Sequence, residues 1–250
     1  MDAETVADLL TRDRRTDRPA LEDETGREFD YHWVLTSSWK AGNFLRHTGV
    51  RRGVTVGVVG DGPFAVLAFL GTALLEGTTR FAPPTDLTDV EDFRTLVAPT
   101  DDLEAYDLPR GAQRVGYATK PESPDVHYLD AGLWSENPSF PPVEIDPGTA
   151  LVTDGERTLT HGAAIDAARE VADSYGIGEG TRVAVAGPLA EPRVVTAGLI
   201  APILAGGTAV LPGEGTEPGS IDLVAGESEA LEEIDVDGAT RIDFETLEVD

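Results

Sequence analysis

Apolar and polar positions along this chain repeat as a block. Ala20 to Tyr31 aligns without a gap with Ala150 to His161, an offset of 150 − 20 = 130 positions, and Ala20/Ala150, Leu21/Leu151, Arg27/Arg157 and Phe29/Leu159 keep their character. Each piece reads as strand, turn, strand, with the turn at Thr25-Gly26 or Asp154-Gly155. A helix is predicted next in both copies. Val34, Ser38, Ala41 and Leu45 share one face, and Ala164, Ala168, Val171 and Tyr175 repeat that spacing. Asp30 and Thr160 are the predicted N-caps, and Gly49 and Gly176 the predicted left-handed ends. Buried strands follow at Val54–Val59 and Thr181–Ala186. Pro63 and Pro192 then open second helices that end at Gly77 and at Gly206-Gly207, and a further strand runs to Pro83 or Pro212.

Strands alternating with helices imply parallel βαβ crossovers, so the expected fold class is α/β, with two duplicated βαβ-type subdomains and mainly parallel sheets. The period is far too long for a solenoid. The expected organisation is an N-terminal helix in residues 1–19, a first subdomain at 20–84, an irregular connection at 85–148, and a second subdomain at 149–250 with an acidic C-terminal end. Within the connection, Phe93–Ala98 reads as a helix end or strand, Arg114–Ala118 as a short strand, and the stretch around Asn137-Pro138 as a linker. Ile221–Ala225 and Arg241–Phe244 read as edge or additional core strands.

The charge-free stretch Val194–Gly213 is long enough to raise a membrane span. It holds Gly198, Pro202, Gly206, Gly207 and Pro212, so a buried helix followed by a buried strand is the expected form. Packed in the core it is silent; left exposed, Val194–Val210 would be an apolar patch favouring a dimer or hetero-complex.

Charge changes the picture of environment and partners. The chain carries 46 Asp+Glu against 19 Lys+Arg, a formal net charge of −27, with Lys40 and Lys120 its only lysines. Acid dispersed over an otherwise ordinary globular composition fits the cytoplasm of an extreme halophile, where a Debye length of about 3 Å at molar salt screens self-repulsion. The same charge repels nucleic acid. There is no cysteine, so thiolate chemistry is excluded, and the acidic N-terminus has no signal-peptide pattern.

The order of motifs resembles a known family. Gly49-Val50-Arg51-Arg52-Gly53-Val54-Thr55-Val56, then Phe69-Leu70-Gly71 through Gly77, is similar to the early region of acyl-CoA synthetases and related adenylate-forming ligases. Ala150-Leu151-Val152-Thr153, Leu159-Thr160-His161, Pro188-Leu189 and Gly198 through Thr208 resemble later stretches of the same superfamily, in the same order. The resemblance runs from about residue 20 to residue 212. It implies the N-terminal part of that superfamily's large domain, with its two related α/β subdomains, and the activity class of an AMP-forming acyl-CoA ligase.

The departures from the family pattern decide the functional expectation. In the family, a loop rich in Ser, Thr and Gly and ending in Pro-Lys-Gly brings backbone N–H groups to the ATP phosphates. Here that loop is Thr153-Asp154-Gly155-Glu156-Arg157-Thr158, with two carboxylates and no lysine. Like charges about 4 Å apart cost about 1 kcal/mol even in water, and Arg157 offsets only part of this. The family's aromatic-Gly-x-Thr-Glu sequence for magnesium and its C-terminal domain with a catalytic lysine are not found in these residues.

The expected function is therefore a non-catalytic, acyl-CoA synthetase-like protein, a pseudoenzyme that binds a ligand or a partner. One alternative is half of a split acyl-adenylating ligase completed by another chain. A second is a Rossmann-like dinucleotide binder, from Gly60-Asp61-Gly62-Pro63-Phe64-Ala65 after a strand. No catalytic residue, metal or cofactor is assigned; residual ATP, AMP or CoA binding is what the resemblance implies. The candidate binding residues are Thr153, Gly155, Arg157 and His161. His161 either meets an anion at a helix N-terminus or packs beside Thr160.

His32, His47 and His127 have no metal-ligand spacing, and Ser37, Ser38 and Ser228 have no nucleophile-elbow context. Trp33, Trp39 and Trp134 read as packing residues, and Asp101-Asp102 and Glu232-Glu233 as solvated surface. The expected partners are a full-length acyl-CoA synthetase or a second copy, without nucleic acid or membrane.

Overall fold

The computed structural model describes residues 3–212, 221–226 and 238–244. In chain order the first copy and the connection supply β1 (Pro19–Glu22), β2 (Glu28–Asp30), α1 (Tyr31–His47), β3 (Thr55–Val58), α2 (Pro63–Ala73), β4 (Thr78–Phe81), β5 (Phe93–Pro99), β6 (Gln113–Tyr117), β7 (Val126–Tyr128) and α3 (Leu129–Ser135). The second copy supplies β8 (Ala150–Thr153), β9 (Thr158–Thr160), α4 (His161–Tyr175) and β10 (Arg182–Val185). It continues through a composite helix α5 (Pro192–Val194, Val195–Ile200, Ala201–Ala205) to β11 (Thr208–Val210), β12 (Leu223–Ala225) and β13 (Thr240–Arg241). Residues before β1 form 3₁₀ turns at Val6–Leu10 and Arg12–Arg14.

The local signals act as the residues require. Asp30 Oδ1 accepts the Trp33 N–H at 2.6 Å, and Thr160 Oγ1 accepts the Ala163 N–H at 3.2 Å, so both first helices carry a side-chain cap. Gly49 and Gly176 take left-handed φ values of +88° and +65°. Helix α2 stops at Ala73, earlier than the expected Gly77, and Glu76 rather than Gly77 is left-handed, at φ +58°. Gly77 is needed for space instead, because a Cβ there would lie 2.9 Å from Thr72 Cγ2.

Helix α5 carries Pro202 in its interior. The segment before it, Val195–Ile200, is π-wound, a register that accommodates a residue without an N–H. Thr196 Oγ1 donates to the Pro192 carbonyl at 2.8 Å. Every residue from Val194 to Ile203 is buried, so the alternative of an exposed apolar patch is corrected in favour of core packing. Among the described residues no helix is long and apolar enough to cross a membrane.

The chain divides into two compact units. Unit 1 is Met1–Leu35, Asp146–Gly148 and Leu159–Asp250; unit 2 is Thr36–Ile145 and Thr149–Thr158. The sheet of unit 1 runs β13-β12-β10-β11-β1-β2, and that of unit 2 runs β7-β6-β5-β3-β4-β8-β9. Apart from the β1–β2 hairpin pairing in unit 1, the registered pairs are parallel.

The two orders correspond apart from the edge strand β7: β12-β10-β11 matches β5-β3-β4, and each triplet is extended by the hairpin of the other copy. In unit 1, β1 lies parallel to β11 with Leu21 opposite Ala209. In unit 2, β8 lies parallel to β4 with Val152 opposite Thr79. The hairpins are exchanged between the copies.

Candidate functional site

The turn joining β8 to β9 holds three of the four candidate residues, and it closes on itself. Thr153 Oγ1 donates to the Arg157 carbonyl at 2.7 Å and accepts the Gly155 N–H at 3.0 Å. Asp154 Oδ1 accepts the Glu156 N–H at 2.8 Å and the Arg157 N–H at 2.7 Å, and the Asp154 N–H donates to the Arg157 carbonyl at 3.3 Å. Every backbone N–H from Asp154 to Arg157 is thus used inside the turn. The N–H bonds from Arg157 and Glu156 hold the Asp154 carboxyl below the usual carboxylate range, so it stays ionised. Gly155 is at φ +101°, and a Cβ there would meet Arg80 Nη2 at 2.5 Å. Arg80 carries no local sequence signal, because its approach depends on the pairing of β4 with β8.

The β1–β2 turn in the first copy has the same chemistry. Asp23 Oδ1 accepts the Thr25 N–H at 2.9 Å, the Thr25 hydroxyl at 2.6 Å and the Arg27 N–H at 3.1 Å. The Asp23 N–H donates to the Arg27 carbonyl at 3.1 Å; in the second copy the carbonyl of the equivalent Arg157 accepts instead from Asp154, one position further along. Burial pushes the Asp23 carboxyl up, but the Thr25 hydroxyl and the N–H donors outweigh it and hold the group low.

His161 does not join the turn. It belongs to unit 1, is fully buried at the first position of α4, and accepts the Val6 N–H through Nδ1 at 3.3 Å. Among the described residues its Nε2 has no hydrogen-bond partner. Loss of water around the ring pushes its pKa down to about 4, against a smaller upward pull from Asp8, so the imidazole is neutral near pH 7. Tyr31 stands at the equivalent position in the first copy. It too is buried, and its hydroxyl donates to the Gly207 carbonyl at 2.8 Å.

The Gly60 turn is occupied by the protein itself. Gly60 is at φ +94°, and a Cβ there would collide with Tyr117 Oη. The Tyr117 hydroxyl donates to the Val59 carbonyl at 2.6 Å, and its ring stacks on Phe64 at 5.4 Å. The glycine is explained by the phenol lying over it.

Among the remaining candidates, His47 faces Glu136 at 3.5 Å, and His127 Nε2 lies 3.1 Å from Gln113 Oε1. Ser37 and Ser38 are buried. Trp33 packs on Phe29 with ring centroids 4.3 Å apart, and Trp39 is in the core. Trp134, expected as a packing residue, is instead 88% exposed, because α3 turns that face outward. Asp101 and Asp102 are exposed; Ser228 and Glu232-Glu233 lie outside the described residues. An open depression of about 450 Å³ in unit 2 is bordered by Asn43, Arg46, His47, Glu136 and Phe140. No group of three or more His, Asp or Glu side chains suited to a metal ion is found among the described residues.

No protein-family model matches the sequence, and no curated protein matches it. Solved structures match its fold. A putative long-chain-fatty-acid CoA ligase from Rhodopseudomonas palustris superposes with a TM-score of 0.76 at 17% identity, covering 96% of this chain and 70% of that one. The anthranilate CoA ligase AuaEII, solved with anthranoyl-AMP, gives 0.74 at 17% identity, covering 90% and 50%. The N-terminal domain of FACL13 from Mycobacterium tuberculosis gives 0.69 at 14% identity, covering 89% and 62%. Against the nonribosomal peptide synthetase FmoA3 the chain spans only 22% of the partner's length.

Proposed function

With the fold taken as that of the N-terminal part of the adenylate-forming ligases, we propose that these residues form a non-catalytic protein that binds a ligand or a partner and does not adenylate by itself. The observation supporting this reading is the β8–β9 turn. Its N–H groups serve Asp154 and Thr153, as the N–H groups of the β1–β2 turn serve Asp23. A triphosphate arriving there would have to displace an ionised carboxylate and accept the charge of Glu156.

The ligand class in this reading is an acyl group, CoA or AMP, by analogy with the AuaEII complex with anthranoyl-AMP. The partner is a full-length synthetase or a second copy. The setting is a salt-rich cytoplasm, in keeping with the net charge of −27.

The test is ATP–pyrophosphate exchange with the purified chain in concentrated KCl, over a panel of aromatic and fatty carboxylic acids. Background exchange throughout is the expected result, and acid-dependent exchange by the chain alone overturns the proposal. In a second reading these residues are one half of a split acyl-adenylating ligase, and another chain supplies the nucleotide loop and the catalytic lysine. Exchange that appears only when a co-purifying chain is added back selects that reading.

A further inference from the structure

The N-terminal turn of unit 1 is pinned by groups of different kinds. Val6, Ala7, Leu9 and Leu10 are buried. Arg169 Nη2 donates to the Ala3 carbonyl at 2.7 Å, and the Val6 N–H is accepted by His161 Nδ1. The turn also holds its own shape, since Asp8 Oδ2 accepts the Glu4 N–H at 3.0 Å, the Thr5 N–H at 2.9 Å and the Thr5 hydroxyl at 2.9 Å. The segment supplies Ala3 and Glu4 to one wall of an open depression of about 430 Å³, whose other sides are Pro147, Gly162, Asp166 and Arg169.

We propose that residues 3–10 are an acid-released strap on α4, with the His161 imidazole as its latch. The Nδ1 atom accepts only while it carries no proton. A proton there sets two donors face to face, and Nε2 has no acceptor among the described residues, so the imidazolium is unsatisfied at both nitrogens. Water reaches the ring when the strap lifts.

The charged groups of the elements around the ring give no compensation. Among the described residues Asp8, on the strap, is the carboxylate that pulls the ring toward protonation, and desolvation outweighs it. On α4, Asp166 and Arg169 pair with each other at 2.8 Å. Asp146, beside Pro147, turns its Oδ1 to the Gly148 N–H at 2.8 Å. Helix α5 has no ionisable residue between Val195 and Ala205. Release opens the wall of the depression and bares the apolar side of the strap.

The chain has no cysteine, so a single Glu4→Cys substitution carries a spin label on the exposed face of the strap. Electron paramagnetic resonance against pH, with circular dichroism recorded in parallel, reads strap mobility separately from global folding. The expected result is a label that becomes mobile between about pH 6.5 and 4, nearer 4 because the buried Val6, Leu9 and Leu10 hold the strap down, while the helical signal persists. In His161→Gln, which keeps an acceptor but does not titrate, and in His161→Leu, that transition is lost. An unchanged transition in His161→Gln, or no mobility before global unfolding in the parent, overturns the proposal. If neither variant folds, the imidazole titration of His161 followed by NMR in the labelled parent decides. Its midpoint must coincide with that of the label, and a separation contradicts the latch.

Discussion

The two units solve the same packing problem with different chemistry where the exchanged hairpin docks. In unit 2 the position opposite Thr79 is Val152, an apolar residue in the core. Its counterpart in unit 1, at the same offset of 130, is Glu22, which is 5% exposed and paired with Arg182 at 2.7 Å. The helix starts differ in the same way. Tyr31 reaches a carbonyl with its hydroxyl, whereas His161 satisfies one nitrogen and leaves the other without a partner among the described residues. One architecture, repeated, tolerates an ion pair or a valine, a phenol or an imidazole, provided the shape is kept and the charge has a counter-charge. Duplication preserved the backbone more strictly than the side-chain chemistry.

The largest effects are expected at the equivalent core leucines. Leu21 and Leu151 are 1% and 0% exposed, so Leu21→Ala and Leu151→Ala should each lose about 2–5 kcal/mol. Similar losses sharpen the equivalence of the hairpins, and a loss at one site alone denies it. Next comes the break at Glu22. Glu22→Ala leaves the partly buried Arg182 with only the longer contact to Glu28 at 3.7 Å and should cost about 1–3 kcal/mol in denaturant unfolding. Glu22→Val with Arg182→Val, which gives unit 1 the chemistry of unit 2, should recover most of that loss. A Glu22→Ala cost no greater than that of an exposed carboxylate would remove the distinction.

The caps come third: Asp30→Ala and Thr160→Ala should each cost about 0.5–2 kcal/mol, again by denaturant unfolding. The pH dependence is the finest separation. His161 has its pKa lowered from 6.5 to about 4 on folding, so the unfolded chain binds the proton more readily. The stability owed to the neutral ring is complete above pH 6.5 and declines as the pH falls from 6.5 toward 4. In His161→Gln this slope should flatten, whereas in Tyr31→Phe it should remain.

The repeat, the caps and the left-handed glycines were legible because they are local: each is fixed by residues within one turn of its own position. Asp30, Thr160, Gly49 and Gly176 all act within that range. Strand exchange was not legible. β4 and β11 are related by the duplication, so either hairpin has two similar strands to pair with, and the alternation of Leu21 or Leu151 suits both. The stretch from 85 to 148 gave a faint pattern because β5, β6 and β7 are parallel strands whose apolar runs lack a clean alternation. The candidate loop was legible in composition, through Asp154 and Glu156 and the missing lysine. The occupation of its N–H groups and the place of Arg80 over Gly155 follow from the turn's conformation and from the pairing of β4 with β8, which composition does not carry.

The β8–β9 turn as a closed hairpin turn is the central claim, and comparing ATP with AMP tests it most directly. Thermal unfolding in concentrated KCl, with each nucleotide added separately, reads binding as stabilisation, about 2.7 kcal/mol at a hundred times the dissociation constant. The expected result is that ATP stabilises the chain no more than AMP does, because the β- and γ-phosphates find no free backbone N–H between Asp154 and Arg157. A clearly larger shift with ATP, lost in Gly155→Ala, would contradict the claim and make this turn a working phosphate loop.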